Sequence, residues 1–189
     1  MDNPSLILHT LDRHLDHQTE LVVYGRTAVW LGFRSPPPQA AETKDVDCIV
    51  SLRQETELSS DVGFWDAVEA TNVELAAKGL YITHLFSERE VFLRREWIHH
   101  IVPIAQLPLR RLKLFRPATV DLILTKMMRG NDPQDMADAA FMIRHDTITE
   151  GQMVEAFSQM KPIELVEFRD AFERAKPAVL ALSRTKSTS

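Results

Sequence analysis

The chain has 189 residues, 44% hydrophobic and 26% charged, with a formal net charge of −5. That composition suits a soluble globular domain, or a domain with a small appendage, long enough to bury a sizeable core. It excludes a global basic field for indiscriminate nucleic-acid binding. Cys48 is the only cysteine, which excludes an intrachain disulfide and points to a reducing compartment.

The N-terminal stretch MDNPSLILHTLDRH starts acidic and has only a short apolar run, unlike a secretory signal. No stretch approaches the ~18 apolar residues of a membrane span, so a cytoplasmic protein without a membrane partner is expected.

In chain order, the pattern predicts a helix over 3–17, with Asn3 as cap and Pro4 in its first turn. A short buried strand follows at 21–25 (LVVYG), then a helix over 26–33. Residues 35–43 (SPPPQAAET) are expected to be irregular, because three prolines lack amide donors. Residues 46–51 (VDCIVS) form the core of a second strand, and 61–79 an amphipathic helix stopped by Gly79. Strands are predicted at 81–86 (YITHLF) and 90–94 (EVFLR), with another around 99–104 (HHIVPI). The basic segment 107–117 closes the strand-rich part. Helices are then expected over 118–130, from Asp132–Pro133 to about 144, from a Thr149 cap, and over 163–183, with a frayed tail at 183–189. This order predicts an α/β (α+β) fold: a small mixed-sheet core over 1–117 and a C-terminal helical region over 118–189 packed on it.

The chemistry concentrates near the start. Asp45 and Asp47 lie two apart on a predicted strand, so they share a face roughly 6.5–7 Å apart. Val46, Cys48 and Val50 fill the opposite face. Two like charges in that position repel, and a bound cation relieves the repulsion. Upstream, Gly25 joins a strand to a helix, which exposes backbone amides at a helix N-terminus and suits a phosphate chain. Arg26 and Thr27 add a charge and a hydroxyl. The plain alternatives are a turn glycine and a turn-capping aspartate.

These residues resemble the polymerase-β-type nucleotidyltransferase superfamily: a strand ending in glycine, a short helix, then h-D-h-D on the next strand. The segment 121–143 (DLILTKMMRGNDPQDMADAAFMI) further resembles the helical motif of AbiEii-like and related nucleotidyltransferase families. Asp121, Lys126, Arg129, Asp135 and Asp138 match that pattern, and Gln134 replaces its lysine. The T-K-D-V-D block at 43–47 resembles the T-x-D-I-D of those families, so the likeness covers roughly residues 20–145.

The resemblance implies Mg²⁺ held by Asp45 and Asp47, NTP phosphates at Gly25, Arg26 and Thr27, and catalytic roles for Asp45, Asp47, Lys126 and Asp138. It implies transfer of a nucleoside monophosphate to an acceptor hydroxyl on a protein, an RNA end or a small molecule. A toxin–antitoxin or defence setting, with an antitoxin partner, goes with it. Two positions depart from the family. Arg26 replaces a small Gly or Ser, and the strand at 81–86 offers His84 where a third carboxylate would serve as base. The alternative is therefore a binding protein of the same fold that holds nucleotide or partner without turnover. Lys126 and Asp138 also read as helix-packing residues. In the basic segment, Arg110, Arg111, Lys113 and Arg116 read either as a solvated edge strand or as a phosphate-binding rim. Met127, Met128, Met136 and Met142 read as core filler.

Overall fold

The computed structural model describes residues 1–161 and 165–184, apart from the His84 side chain. It is a mixed α/β protein. The chain divides into two compact units: residues 1–88 with 101–116, and residues 89–100 with 117–189. The sequence places the boundary at 117; the structure assigns 89–100 to the later unit as well.

The first unit is built on a five-stranded sheet in the order β3-β2-β1-β5-β4. α1 (Asn3–His14) leads into β1 (Thr19–Val23), α2 (Gly25–Gly32) and β2 (Asp45–Val50). α3 (Leu52–Ser59) and α4 (Val62–Leu75) precede β3 (Tyr81–Ser87). The last two strands are β4 (Val102–Pro103) and β5 (Leu112–Arg116). β1 pairs antiparallel with β2 and parallel with β5, and β2 pairs parallel with β3. Along and just past α1, Ile7, Leu8, Leu11 and Leu15 are fully buried at helical spacing, as the pattern predicts. Val46, Cys48 and Val50 are likewise buried on one side of β2.

Several local differences have simple causes. Asp2, not Asn3, caps α1, because its carboxylate accepts the Ser5 amide at 2.9 Å. The proline stretch is not wholly irregular: a 3₁₀ turn spans Pro38–Glu42, and Pro38 fits its first position, where no amide is needed. α3 has no counterpart in the predicted elements. Its signal is Ser51-x-x-Gln54, a capping box in which each side chain bonds the other residue's amide.

The first unit also holds the basic segment in place. Asp12 accepts the backbone amides of Arg110, Arg111 and Leu112 at 2.7–3.0 Å. Arg111 donates to the Leu15 carbonyl at the end of α1. Arg116 is buried, with its guanidinium 4.2 Å from the Phe33 ring centre and Nε donating to the Gly32 carbonyl. A Cβ on Gly32 would overlap Arg116 Cδ, so glycine is required for this approach. The buried setting of Arg116 removes it from any solvent-facing phosphate rim.

The second unit contains α5 (Thr119–Lys126), α6 (Pro133–Asp146), α7 (Glu150–Gln159) and α8 (Val166–Arg184). Asp132 and Thr149 cap α6 and α7, as the sequence predicts. The expected start of the last helix at 163 and most of the predicted tail lie outside the described residues. The predicted strand at 90–94 is not formed; Arg94 makes only an isolated bridge to Met160. Val91, Phe92 and Leu93 are all buried, so the run lacks the one-sided burial of a surface strand. Phe92 meets Phe168 and Phe172 edge-to-face in the core of this unit. The strand expected around 99–104 shrinks to Val102–Pro103. Pro103 has no amide to extend it, and His99 and His100 sit in a 3₁₀ turn. Met127 and Met142 are fully buried, as core filler should be, whereas Met128 and Met136 are half-buried.

Candidate functional site

Gly25 opens α2 with φ at +62°, a left-handed conformation that favours glycine. The N-cap residue is Tyr24, which makes no side-chain cap, whereas α1, α3, α4, α6 and α7 each begin with a carboxylate or hydroxyl bonded to their first amides. The side chain of the N-cap residue therefore accepts nothing from the first turn of α2, as is also the case at α5. The Tyr24 amide donates to the Asp47 carbonyl at 3.1 Å, which ties this helix start to β2. An imagined Cβ on Gly25 would lie 3.8 Å from Asp47 Oδ2, so the glycine turn and the carboxylate are neighbours.

On β2, Asp45 and Asp47 are half-buried and flank the buried Val46. The two carboxylates share the face predicted by strand alternation. Thr43 donates to Asp45 Oδ1 at 2.8 Å, and Thr83 on β3 donates to Asp47 Oδ1. Thr27 is 1% exposed, and its hydroxyl donates to the Asp45 carbonyl at 3.2 Å. That bond fixes α2 to β2 rather than presenting the hydroxyl to a ligand. Arg26 is half-buried beside it.

The ladder between β2 and β3 is irregular at this point. Val46 pairs with Ile82 but Cys48 with Leu85, so Asp47 faces both Thr83 and His84. A bulge of this kind re-aims side chains and is common beside functional sites. The side chain of His84, the sequence candidate for a base, lies outside the described residues. Thr83 is the residue on β3 seen to engage Asp47, and sequence reasoning missed it because a lone strand threonine carries no signal. Burial raises the Cys48 thiol far above its ordinary range, and the Asp47 charge adds to this. Cys48 is accordingly an inert core residue.

Two carboxylates are a suitable donor set for Mg²⁺, which takes hard oxygen ligands and is commonly held by one or two carboxylates plus substrate phosphates. Among the described residues, no group of three or more His, Cys, Asp or Glu side chains is arranged to hold a metal.

The helical motif lies in the second unit, and most of it forms an ion-pair cluster there. Lys126 is 6% exposed, and its ammonium bonds Asp135 at 3.1 Å and Asp138 at 2.6 Å. Arg129 bonds the other Asp135 oxygen at 2.7 Å and Asp132 at 3.3 Å. Asp135 and Asp138 stand one turn apart on α6, which lets one ammonium reach both. Asp121 is fully buried and receives Arg94 through Nε, Nη2 and the backbone amide at 2.7–3.1 Å. Lys126, Arg129, Asp135 and Asp138 thus pair with one another, whereas Asp121 pairs with Arg94, which lies outside the motif. The sequence shows their spacing but not this pairing.

Comparisons with protein-family models, curated proteins and solved structures return no match to this chain. Among the described residues, no helix is long and apolar enough to cross a membrane.

Proposed function

We propose that the first unit binds a nucleoside triphosphate with Mg²⁺ and transfers the nucleoside monophosphate to an acceptor hydroxyl. One observation carries this reading: the left-handed Gly25 at the start of α2 lies against the Asp47 carboxylate, with Asp45 on the same strand face. Amides at a helix start attract phosphate oxygens, and carboxylates beside them attract the accompanying cation. Asp45 and Asp47 would hold the metal, and the Gly25 and Arg26 backbone would meet the phosphates. Bound there, Mg²⁺ would neutralise phosphate charge and stabilise the oxygens of an in-line displacement. Thr27, Thr43 and Thr83 act by position, orienting β2 and its two carboxylates. The acceptor is a protein, RNA or small-molecule hydroxyl. The buried lone Cys48 supports a reducing, cytoplasmic setting. A role in defence, with an antitoxin partner, rests on the helical motif's resemblance alone.

The mutual pairing of Lys126 and Asp138 supports a structural role for both within the helical unit. A second reading is favoured by Thr83, the hydroxyl that bonds Asp47 from the strand where the resemblance expects a third carboxylate. In that reading the unit binds nucleotide without turnover.

Incubation with labelled NTPs, Mg²⁺ and cell extract separates the two. Transfer of label that Asp47→Asn lowers by at least ~100-fold, the loss expected when a group acting on the transition state is removed, supports the enzyme. Binding of NTP without transfer supports the second reading. Absence of Mg²⁺-dependent nucleotide binding sinks both.

A further inference from the structure

The proposed site has a second, apolar end. β3 is an edge strand of the sheet, and its first residue, Tyr81, is 42% exposed. Tyr81 is the register partner of Asp45 on the adjoining β2. Register partners on neighbouring strands stand side by side, about 4.8 Å apart, with side chains on the same face. The aromatic ring therefore belongs to the same face as the two carboxylates. Two positions on, Thr83 bonds Asp47, as expected when this stretch of β3 and the acidic pair share a face.

The edge at Tyr81 is held firmly. The Asn72 side chain on α4 accepts from the Ile82 amide at 2.7 Å and donates to its carbonyl at 3.1 Å. That carboxamide occupies the position of a missing next strand and blocks outside pairing there. The Tyr81 amide donates to the Lys44 carbonyl at 3.1 Å. With the backbone bonded on both sides of this stretch, Tyr81 projects an aromatic surface from a fixed base. Tyrosine also loses little rotamer freedom on ligand contact, because it has only two side-chain torsions.

Across the sheet, the order is then Gly25 and the helix amides, Asp47, Asp45, Tyr81. One end offers amides to anionic oxygens, the middle offers carboxylates to a cation, and the edge offers an aromatic face. This sequence of chemistries matches a nucleoside triphosphate laid from phosphates to base. We infer that Tyr81 is the base-stacking residue of the site, and that it reads the nucleobase as an aromatic plane without choosing among the four bases. This rests on the phosphate-and-metal reading above. Stacking predicts a tolerance for any base, because every base has a π-face and a lone tyrosine ring has no hydrogen-bond pattern to match one base edge.

The test compares Mg²⁺-dependent binding of each of the four NTPs with that of inorganic triphosphate, by calorimetric titration. In the wild-type protein, all four NTPs should bind on the order of 10- to 100-fold more tightly than inorganic triphosphate, the range expected of one base stacked on one aromatic ring. Tyr81→Ala should bring every NTP down to the affinity of inorganic triphosphate and leave that reference unchanged. Tyr81→Phe should keep the wild-type ratio. Because the side chain is exposed, both variants should melt with the wild-type protein. Three results overturn the inference: equal wild-type affinity for NTP and inorganic triphosphate, a ratio unchanged in Tyr81→Ala, or a loss in Tyr81→Ala that is equal for both ligands. If inorganic triphosphate itself fails to bind with Mg²⁺, the phosphate-and-metal reading fails first, and Tyr81 with it.

Discussion

Two pairs of aspartates in this protein sit at almost the same sequence spacing and meet opposite company. Asp45 and Asp47 on β2 are half-buried and accept the hydroxyls of Thr43 and Thr83. Asp135 and Asp138 on α6 are buried and share the ammonium of Lys126. A hydroxyl orients a carboxylate without cancelling its charge; an ammonium cancels it. The strand pair lies on the proposed cation site, whereas the charge of the helix pair goes into holding α5 to α6. The difference shows that acidic residues at motif spacing do not by themselves mark a reactive centre. What decides is the type of donor each carboxylate receives.

The largest expected effect falls on the helix pair. Lys126→Ala leaves Asp135 and Asp138 buried without their shared cation, and removal of one side of a buried pair costs about 3–5 kcal/mol. Urea unfolding should show that loss. Lys126→Met tests the comparison from the other side, because it keeps the stem volume but not the charge. If Lys126→Met combined with Asp135→Asn and Asp138→Asn recovers most of the stability, the cluster is a structural clamp. If the single Lys126 variant is as stable as wild type, the contrast between the two pairs collapses.

Asp12 offers an intermediate case, a buried carboxylate met by neutral amides. Burial pushes its carboxyl up, but the amides of Arg110, Arg111 and Leu112 outweigh that and hold it below the usual aspartate range. A depressed carboxyl contributes stability above its unfolded value, near 4, and loses it as the pH falls through the folded value. Asp12→Ala should therefore cost about 1–3 kcal/mol near neutral pH, the penalty for stripping buried donors of their acceptor. The gap to wild type should narrow in urea melts repeated below about pH 4. A gap that stays constant across that range would remove the charge from the account.

These cases also show what the sequence reveals. The face shared by Asp45 and Asp47 follows from strand alternation, and the helix start at Gly25 from its place between strand and helix. The core positions of α1 and β2 follow from periodicity. The capping of α6 by Asp132 follows from the Asp-Pro pair. The partners do not follow. Arg94 reaches Asp121 across 27 positions, and Thr83 reaches Asp47 across 36. Such pairs exist only once the strands and helices are in register, and no local pattern announces them. The strand expected at 90–94 fails for a related reason: three consecutive apolar residues describe burial, and burial in a helical core looks the same as burial in a sheet.

For the strand pair, the expected stability effects are small and their sign is informative. Asp45→Asn removes one of two neighbouring like charges and keeps an acceptor for Thr43. Its unfolding free energy should lie within about 1 kcal/mol of wild type, on the stabilised side if repulsion dominates. Mg²⁺ should raise the melting temperature of wild type, because a ligand bound by the folded state alone stabilises it by mass action, and should leave Asp45→Asn unmoved. An identical Mg²⁺ response in both would place the cation elsewhere and erase the distinction between the two acidic pairs.

The smallest effect belongs to His17, which tests whether one exposed and one half-buried acid can be met by a titratable cation. Its ring bonds Asp16 at 2.6 Å and Asp61 at 2.9 Å, and Asp61 also caps α4. The bond to Asp16, followed by that to Asp61, raises the imidazole above its ordinary value, against the opposing effect of burial. A raised histidine contributes stability that is fully present below the unfolded value near 6.5 and disappears as pH rises through the folded value. The side chain is 44% exposed, so solvent screening keeps the contribution slight. NMR titration of the His17 ring is the sensitive measurement. Its midpoint should lie above that of an ordinary histidine, and Asp16→Asn should lower it more than Asp61→Asn does. Equal midpoints in all three proteins would mean that water, not the two carboxylates, sets the charge of His17.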